Sequence, residues 1–134
     1  MEKIFQLMQN DRFAATNGIK LIEVGEGTAK AVMEVNENHL NGLGTVQGGA
    51  LFTLADLAFA AASNSRGKIA VSLDANINYI KPVSSGTLTA TAIEIDLKRT
   101  VSLYRVDIRN EAEELVATFQ STAYRKETRV FEEK

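Results

Sequence analysis

The 134-residue sequence has no cysteine, a single proline and a single histidine. Without a thiol there is no disulfide framework, no thiolate metal site and no cysteine nucleophile. With one proline, no internal repeat and no low-complexity stretch, nothing marks a linker, so one domain over residues 1–134 is expected. An excess of positive charge is also missing. Fifteen Lys and Arg against 17 Asp and Glu give a net charge of -2, which excludes the basic field that holds a nucleic-acid backbone. No apolar run is long enough for a signal peptide or a membrane span, so no membrane partner and a cytoplasmic location are expected.

What is present is the balance of a globular protein, with 45% hydrophobic and 24% charged residues. Ile4, Phe5, Leu7 and Met8 read as the inner face of a short N-terminal helix over residues 2–15. Ile19 to Val24 and Ala29 to Val35 alternate at period 2 around a Gly25–Gly27 turn, which makes a hairpin. A loop from Asn36 to Thr45 leads to GGALFTLADLAFAAASNS, whose alanine and leucine content suits a helix ended by Asn64 and Gly67. From Ile69 to Tyr79 the alternation puts Ile69, Val71, Leu73, Ala75, Ile77 and Tyr79 on one face. Ser72, Asp74, Asn76 and Asn78 fall on the other, polar face. Strands at 87–97, 100–109 and 114–125 should follow as an antiparallel meander, with a phase change between Ala92 and Ile93 that suggests a bulge. The class is α+β, a strongly curved antiparallel sheet wrapped around one long helix, with a loose charged tail over about 127–134.

Between Ala50 and Ala62 only Thr53 and Asp56 interrupt an otherwise apolar helix, and such a helix belongs in an interior. A carboxylate there either ties the helix to a strand serine or backbone amide, or performs chemistry. Gly48 and Gly49 open the helix. They either allow a tight turn or let a ligand reach free N–H groups at the positive end of the dipole, where a carbonyl oxygen becoming an oxyanion is held. Asp56 lies eight positions beyond Gly48, about 12 Å along the axis. One helix therefore cannot aim both at one carbonyl, whereas two copies related by a two-fold axis can.

Asn41-Gly-Leu-Gly-Thr-Val-Gln-Gly-Gly-Ala-Leu-Phe-Thr-Leu-Ala-Asp56, Asn64-Ser-Arg-Gly67, Val71-Ser-Leu-Asp74 and Asn78-Tyr-Ile-Lys-Pro82 resemble the hotdog-fold acyl-CoA thioesterases of the phenylacetate-degradation (PaaI-like) type. The resemblance covers Asn17 to Arg125. It implies a hotdog fold, a homodimer with one continuous sheet, often paired again into a homotetramer, and hydrolysis of acyl-CoA without metal or organic cofactor, coenzyme A being part of the substrate. It also implies roles for single residues: Asp56 activates water or attacks the thioester, Gly48 supplies the oxyanion N–H, Ser72 helps place the water, and Asn41 lies near the carbonyl. Apart from the resemblance, Ser72 is an ordinary strand serine and Asn41 a turn residue.

Gln47 departs from the family's usual histidine; an amide donates a hydrogen bond but cannot transfer a proton near neutral pH. His39 reads as loop packing or capping. The Lys98-Arg99 turn matches a basic turn near the nucleotide in the family, with Arg66, Lys81 and Arg125 as further candidates for coenzyme A, and Tyr79 and Pro82 are assigned to structure. Aryl-acetyl or medium-chain acyl groups suit the apolar helix. The loss of histidine at Gln47 keeps a second expectation open, an acyl-CoA binding or sensing module without turnover. A hydratase ranks last, since His39 is alone and misplaced for one.

Overall fold

The computed structural model describes residues 1–131. Two short helices, α1 (Glu2–Gln9) and α2 (Arg12–Thr16), precede the hairpin β1 (Ile19–Gly25) and β2 (Thr28–Glu34). A 3-10 turn (Glu37–His39) leads to the long helix α3 (Gly48–Asn64), followed by β3 (Lys68–Tyr79), β4 (Thr87–Leu97), β5 (Val101–Arg109) and β6 (Leu115–Arg129). All pairings are antiparallel in one six-stranded sheet of order β1-β2-β4-β5-β6-β3.

The N-terminal segment is two helices rather than the one expected over 2–15. Asp11 adopts extended backbone and its carboxylate accepts the Ala14 N–H at 3.0 Å, so it starts a second helix instead of continuing the first. Ile4 is fully buried, whereas Leu7, expected on the inner face, is exposed.

The sheet curls around α3. Leu54, Ala55, Ala58, Ala61 and Ala62 have no exposed surface, and the small alanine side chains among them let the sheet approach closely. Phe59 packs edge-on against Tyr104 (5.7 Å) and tilted against Phe119 (6.1 Å), and Phe52 packs edge-on against Phe119 (5.3 Å). The helix C-terminus is fastened by polar groups. The Asn64 amide spans the N–H and carbonyl of Ala70 and also donates to the Ala60 carbonyl, while Ser65 Oγ accepts the Gly27 N–H at 2.8 Å.

Two expectations about faces are corrected. The β3–β6 register jumps between Ser72 and Asp74, leaving Leu73 as an extra residue. Residues paired across strands share a face, so Ser72, opposite buried Ala123, lies on the helix-bearing side with Ala75, Ile77 and Tyr79. It is not on the polar face with Asp74, Asn76 and Asn78. In β4 the bulge is at Ile95, between Glu94 and Asp96, rather than at Ala92–Ile93. Glu94 continues the inner face after Ala92 because Arg66 (3.0 Å) and the Tyr104 hydroxyl (2.8 Å) pair with its carboxylate there. Ile93 and Ile95 accordingly face out and are about half exposed.

The loose tail expected from residue 127 is also corrected in part, because β6 runs to Arg129 and Val130 N–H donates to the Gly67 carbonyl. Residues 132–134 of that expectation lie outside the described residues.

Candidate active site

The N-terminus of α3 gathers three of the expected site residues. Gln47 is the N-cap, and its Oε1 accepts the Gly49 N–H at 2.5 Å. An N–H can only donate, so Oε1 is committed to Gly49 and the Nε2 amino group is left without a partner among the described residues; Gln47 lines a cleft of about 450 Å³ with Phe13, His39, Gly49, Phe52 and Thr53. Gly48 is the first helical residue, and its N–H finds no acceptor among the described residues, as the first turn of a helix requires unless a cap intervenes. On the other side of Gly48 lies a second cleft of about 330 Å³, lined by Asn41, Leu51, Tyr79, Lys81 and Val83 among others.

Asn41 shapes the approach to that helix. Its Oδ1 accepts the N–H groups of Leu43 (2.9 Å) and Thr45 (3.2 Å), and its Nδ2 donates to Thr45 Oγ1. Every polar atom of the side chain is thus engaged within its own loop.

Asp56 lies on the least buried stripe of α3, at helical spacing from Gly49, Thr53 and Ala60. Its carboxylate has no hydrogen-bond partner among the described residues, so the alternative in which it ties the helix to a serine or amide is not what the fold builds. Burial, with a smaller contribution from the charge of Asp11, holds its pKa above the usual aspartate range. Such a group is a stronger proton acceptor than an exposed carboxylate.

Ser72 stands apart from these residues, on edge strand β3. Its hydroxyl contacts Ser121 Oγ at 2.9 Å and the Asp74 carbonyl at 2.9 Å, and the side chain is exposed. The basic turn lies at the other end of α3, where Arg125 donates to the carbonyls of Lys98 (2.7 Å) and Arg99 (3.2 Å). Lys98 pairs with Asp96 and Arg99 with Glu127, both at the surface. Arg66 is committed to Glu94 and Glu26, and Lys81 to Glu114.

His39 is fully engaged. Nδ1 accepts the Asn36 N–H at 3.0 Å, which leaves the proton on Nε2 to donate to the Asn17 carbonyl at 2.6 Å. The ring fastens the 3-10 turn to the end of α2, in keeping with loop packing and capping.

Three residues of this site escaped the reading of the sequence. Tyr79 donates to the Gly48 carbonyl at 3.1 Å, Thr53 to the Gly49 carbonyl at 2.8 Å, and Asp11 acts on Asp56 by charge. For Thr53 there was a signal, its place with Asp56 as the two polar breaks in the helix. Among the described residues no group of three or more His, Asp or Glu could hold a metal ion, and no helix is long and apolar enough to cross a membrane.

A sheet curled round one long helix, with a glycine-opened helix end and a single half-buried acid on that helix, defines a hotdog fold of the thioesterase kind. The thioesterase superfamily model matches residues 43–117, and the chain belongs to that superfamily. It is 38% identical over 120 residues to the acyl-coenzyme A thioesterase PaaI of Escherichia coli, covering 89% of this chain and 86% of that protein. The solved structure of E. coli PaaI superposes with a TM-score of 0.89 at 35% identity, covering 96% of each chain. Human acyl-coenzyme A thioesterase 13 is 34% identical over 97 residues, 70% of this chain and 69% of that one. A Streptococcus mutans protein solved with acetyl CoA bound is similar at 28% identity and TM-score 0.79, covering 83% and 90% of the two chains.

Proposed function

We propose that the chain hydrolyses acyl-CoA thioesters to a free acid and CoA, at two equivalent sites formed where two copies meet. The observation that carries this is the pairing, on one helix, of an unpaired N-terminal N–H at Gly48 with an acid at Asp56 that has no structural partner. Membership of the superfamily and the names of its relatives support the same reaction. The substrate carbonyl sits at the Gly48 N–H and the Gln47 Nε2 amino group. Asp56 of the second copy takes a proton from water, whose oxygen adds to the carbonyl carbon while the carbonyl electron pair moves onto oxygen. Collapse breaks the C–S bond, and the thiolate of CoA takes the proton that Asp56 gained.

Edge strand β3 supports the dimer. Its free edge is 12 residues long, and Val71, Leu73 and Tyr79 are 41%, 60% and 54% exposed in the single chain. Pairing β3 with its copy extends the sheet, aligns the two helices antiparallel and brings Ser72 toward the shared site. A further pairing of dimers gives the tetramer. The Lys98-Arg99 turn lies beside the C-terminal end of α3, about 25 Å from Gly48 for a 17-residue helix, so the turn that meets the phosphates of CoA comes from the second copy. Phe13 and Phe52 in the cleft beside Gln47 suit aryl-acetyl or medium-chain acyl groups.

The test is release of free CoA from a panel of aryl and straight-chain acyl-CoAs by the wild-type protein and by Asp56→Ala, with the oligomeric state of both measured. Turnover lost in a still-assembled variant is the expected result. Tight acyl-CoA binding with no turnover of any thioester by the wild type would contradict the proposal and leave a binding module.

A further inference from the structure

Tyr79 is the last residue of β3, and more than half of its surface is exposed in the single chain, so packing within its own chain does not explain its place. Its hydroxyl donates to the Gly48 carbonyl at 3.1 Å. That carbonyl belongs to the same peptide group as the Gly49 N–H, which donates to Gln47 Oε1 at 2.5 Å. One peptide unit is therefore held at both ends by side chains, one from the edge strand and one from the cap. Hydrogen bonds linked in series polarise one another, so the Tyr79 hydroxyl strengthens the grip of Gly49 on Gln47.

The two glycines make this possible. A Cβ at residue 48 would stand 2.8 Å from the Tyr79 oxygen and 2.9 Å from its Cζ, and one at residue 49 would stand 2.6 Å from Gln47 Oε1. Side chains there would unseat Tyr79 in the first case and Gln47 in the second.

We propose that Tyr79 is a positioning residue that, through the Gly48–Gly49 peptide, fixes the Gln47 carboxamide with its Nε2 amino group toward the substrate carbonyl. A glutamine side chain has one more rotatable bond than histidine and loses more freedom when ordered, so an amide at this position has particular need of an outside anchor. The inference rests on the hydrolytic role proposed above for its catalytic meaning, but not for its geometry.

The test is Tyr79→Phe in the full-length chain, which removes the hydroxyl and keeps the ring. In a proton–nitrogen correlation spectrum, the Gly49 amide proton is expected to move upfield and the Gln47 side-chain pair to move toward its free-amide position, with the remaining spectrum intact. In acyl-CoA hydrolysis, kcat is expected to fall roughly tenfold with KM within about twofold, the pattern of an interaction made chiefly in the transition state. On a Gln47→Ala background the same substitution should have no further effect on kcat, because the group it positions is gone. Unmoved Gly49 and Gln47 resonances, or an equal loss of kcat on both backgrounds, would overturn the proposal. If the wild type turned over no thioester, the hydrolytic reading would fall, while the spectra would still decide whether Tyr79 anchors Gln47.

Discussion

Asp56 concentrates the conflict between stability and chemistry at a single residue. Its carboxyl, half-buried with no hydrogen-bond partner among the described residues and near Asp11, has a pKa raised above the ordinary aspartate value. A group whose folded pKa is raised favours folding while protonated, and that contribution is lost as pH rises through the folded pKa. Asp56→Asn is therefore expected to raise the melting temperature at pH 7 by about 2 °C or more, with the gain shrinking as pH falls through the raised folded pKa and gone by about pH 4. Thermal melts of the two proteins at both pH values check this, and a gain that persisted unchanged in acid would contradict it. The same shift moves the acid limb of kcat/KM above the range of an exposed carboxylate, since the base must be ionised to act. Gln47 has no proton to exchange in that range, so no second limb is expected from it. Asp56 was legible in the sequence because a lone acid in an apolar helix stands out. Of the two partners that commit His39, Asn36 lies in its own turn, but Asn17, at the end of α2, was not legible because it is distant in sequence.

At the scale of elements, strong periodicity carried most of the fold. The hairpin, the long helix and the meander follow from alternation and from the alanine-rich run. What failed was phase. A bulge adds one residue and reverses the phase across it; the residues after Leu73 keep their expected faces, so Ser72, just before it, lies on the helix side rather than the polar side. In β4 the pattern of apolar residues misplaced the bulge because Glu94 occupies an inner position, made tolerable by Arg66 and Tyr104, neither of which is near it in sequence. The junction of α3 with β3 offers a direct check of such polar fastening. Asn64→Ala leaves the buried Ala70 N–H and carbonyl without their partner and is expected to cost about 2 kcal/mol. Chemical denaturation should show that loss, and a change under about 0.5 kcal/mol would mean that the Asn64 clamp does not hold the turn.

At the scale of the whole molecule, the proposed function gives one chain only half of each site. The least buried stripe of its central helix carries the candidate base, and its longest sheet edge is unpaired and exposes Val71, Leu73 and Tyr79. Both features are accounted for by a second copy. Val71→Glu combined with Leu73→Glu puts like charges along that edge without touching the buried core, and is expected to shift the protein to monomers, with hydrolysis reduced about a hundredfold or more. Light scattering coupled to size exclusion gives the mass; an active monomer would refute the shared site. The proposal of a site shared across a two-fold axis starts, in the sequence, from the eight positions between Gly48 and Asp56 and from the family resemblance.

The central claim is that each site takes Gly48 from one copy and Asp56 from the other, and subunit mixing tests it most directly. One variant is Asp56→Ala. The other is Gly48→Pro, which removes the N–H donor yet suits the first position of a helix, where the preceding Gln47 already has extended backbone; exposed Tyr79 must swing aside. Each variant alone is expected to be nearly inactive. Refolded together in equal amounts, half of the dimers are mixed, and each mixed dimer keeps one intact site of two, so activity should return to about a quarter of the wild-type value. No recovery in a mixture shown to contain mixed dimers would contradict the account and place the acid and the N–H donor of each site within a single chain.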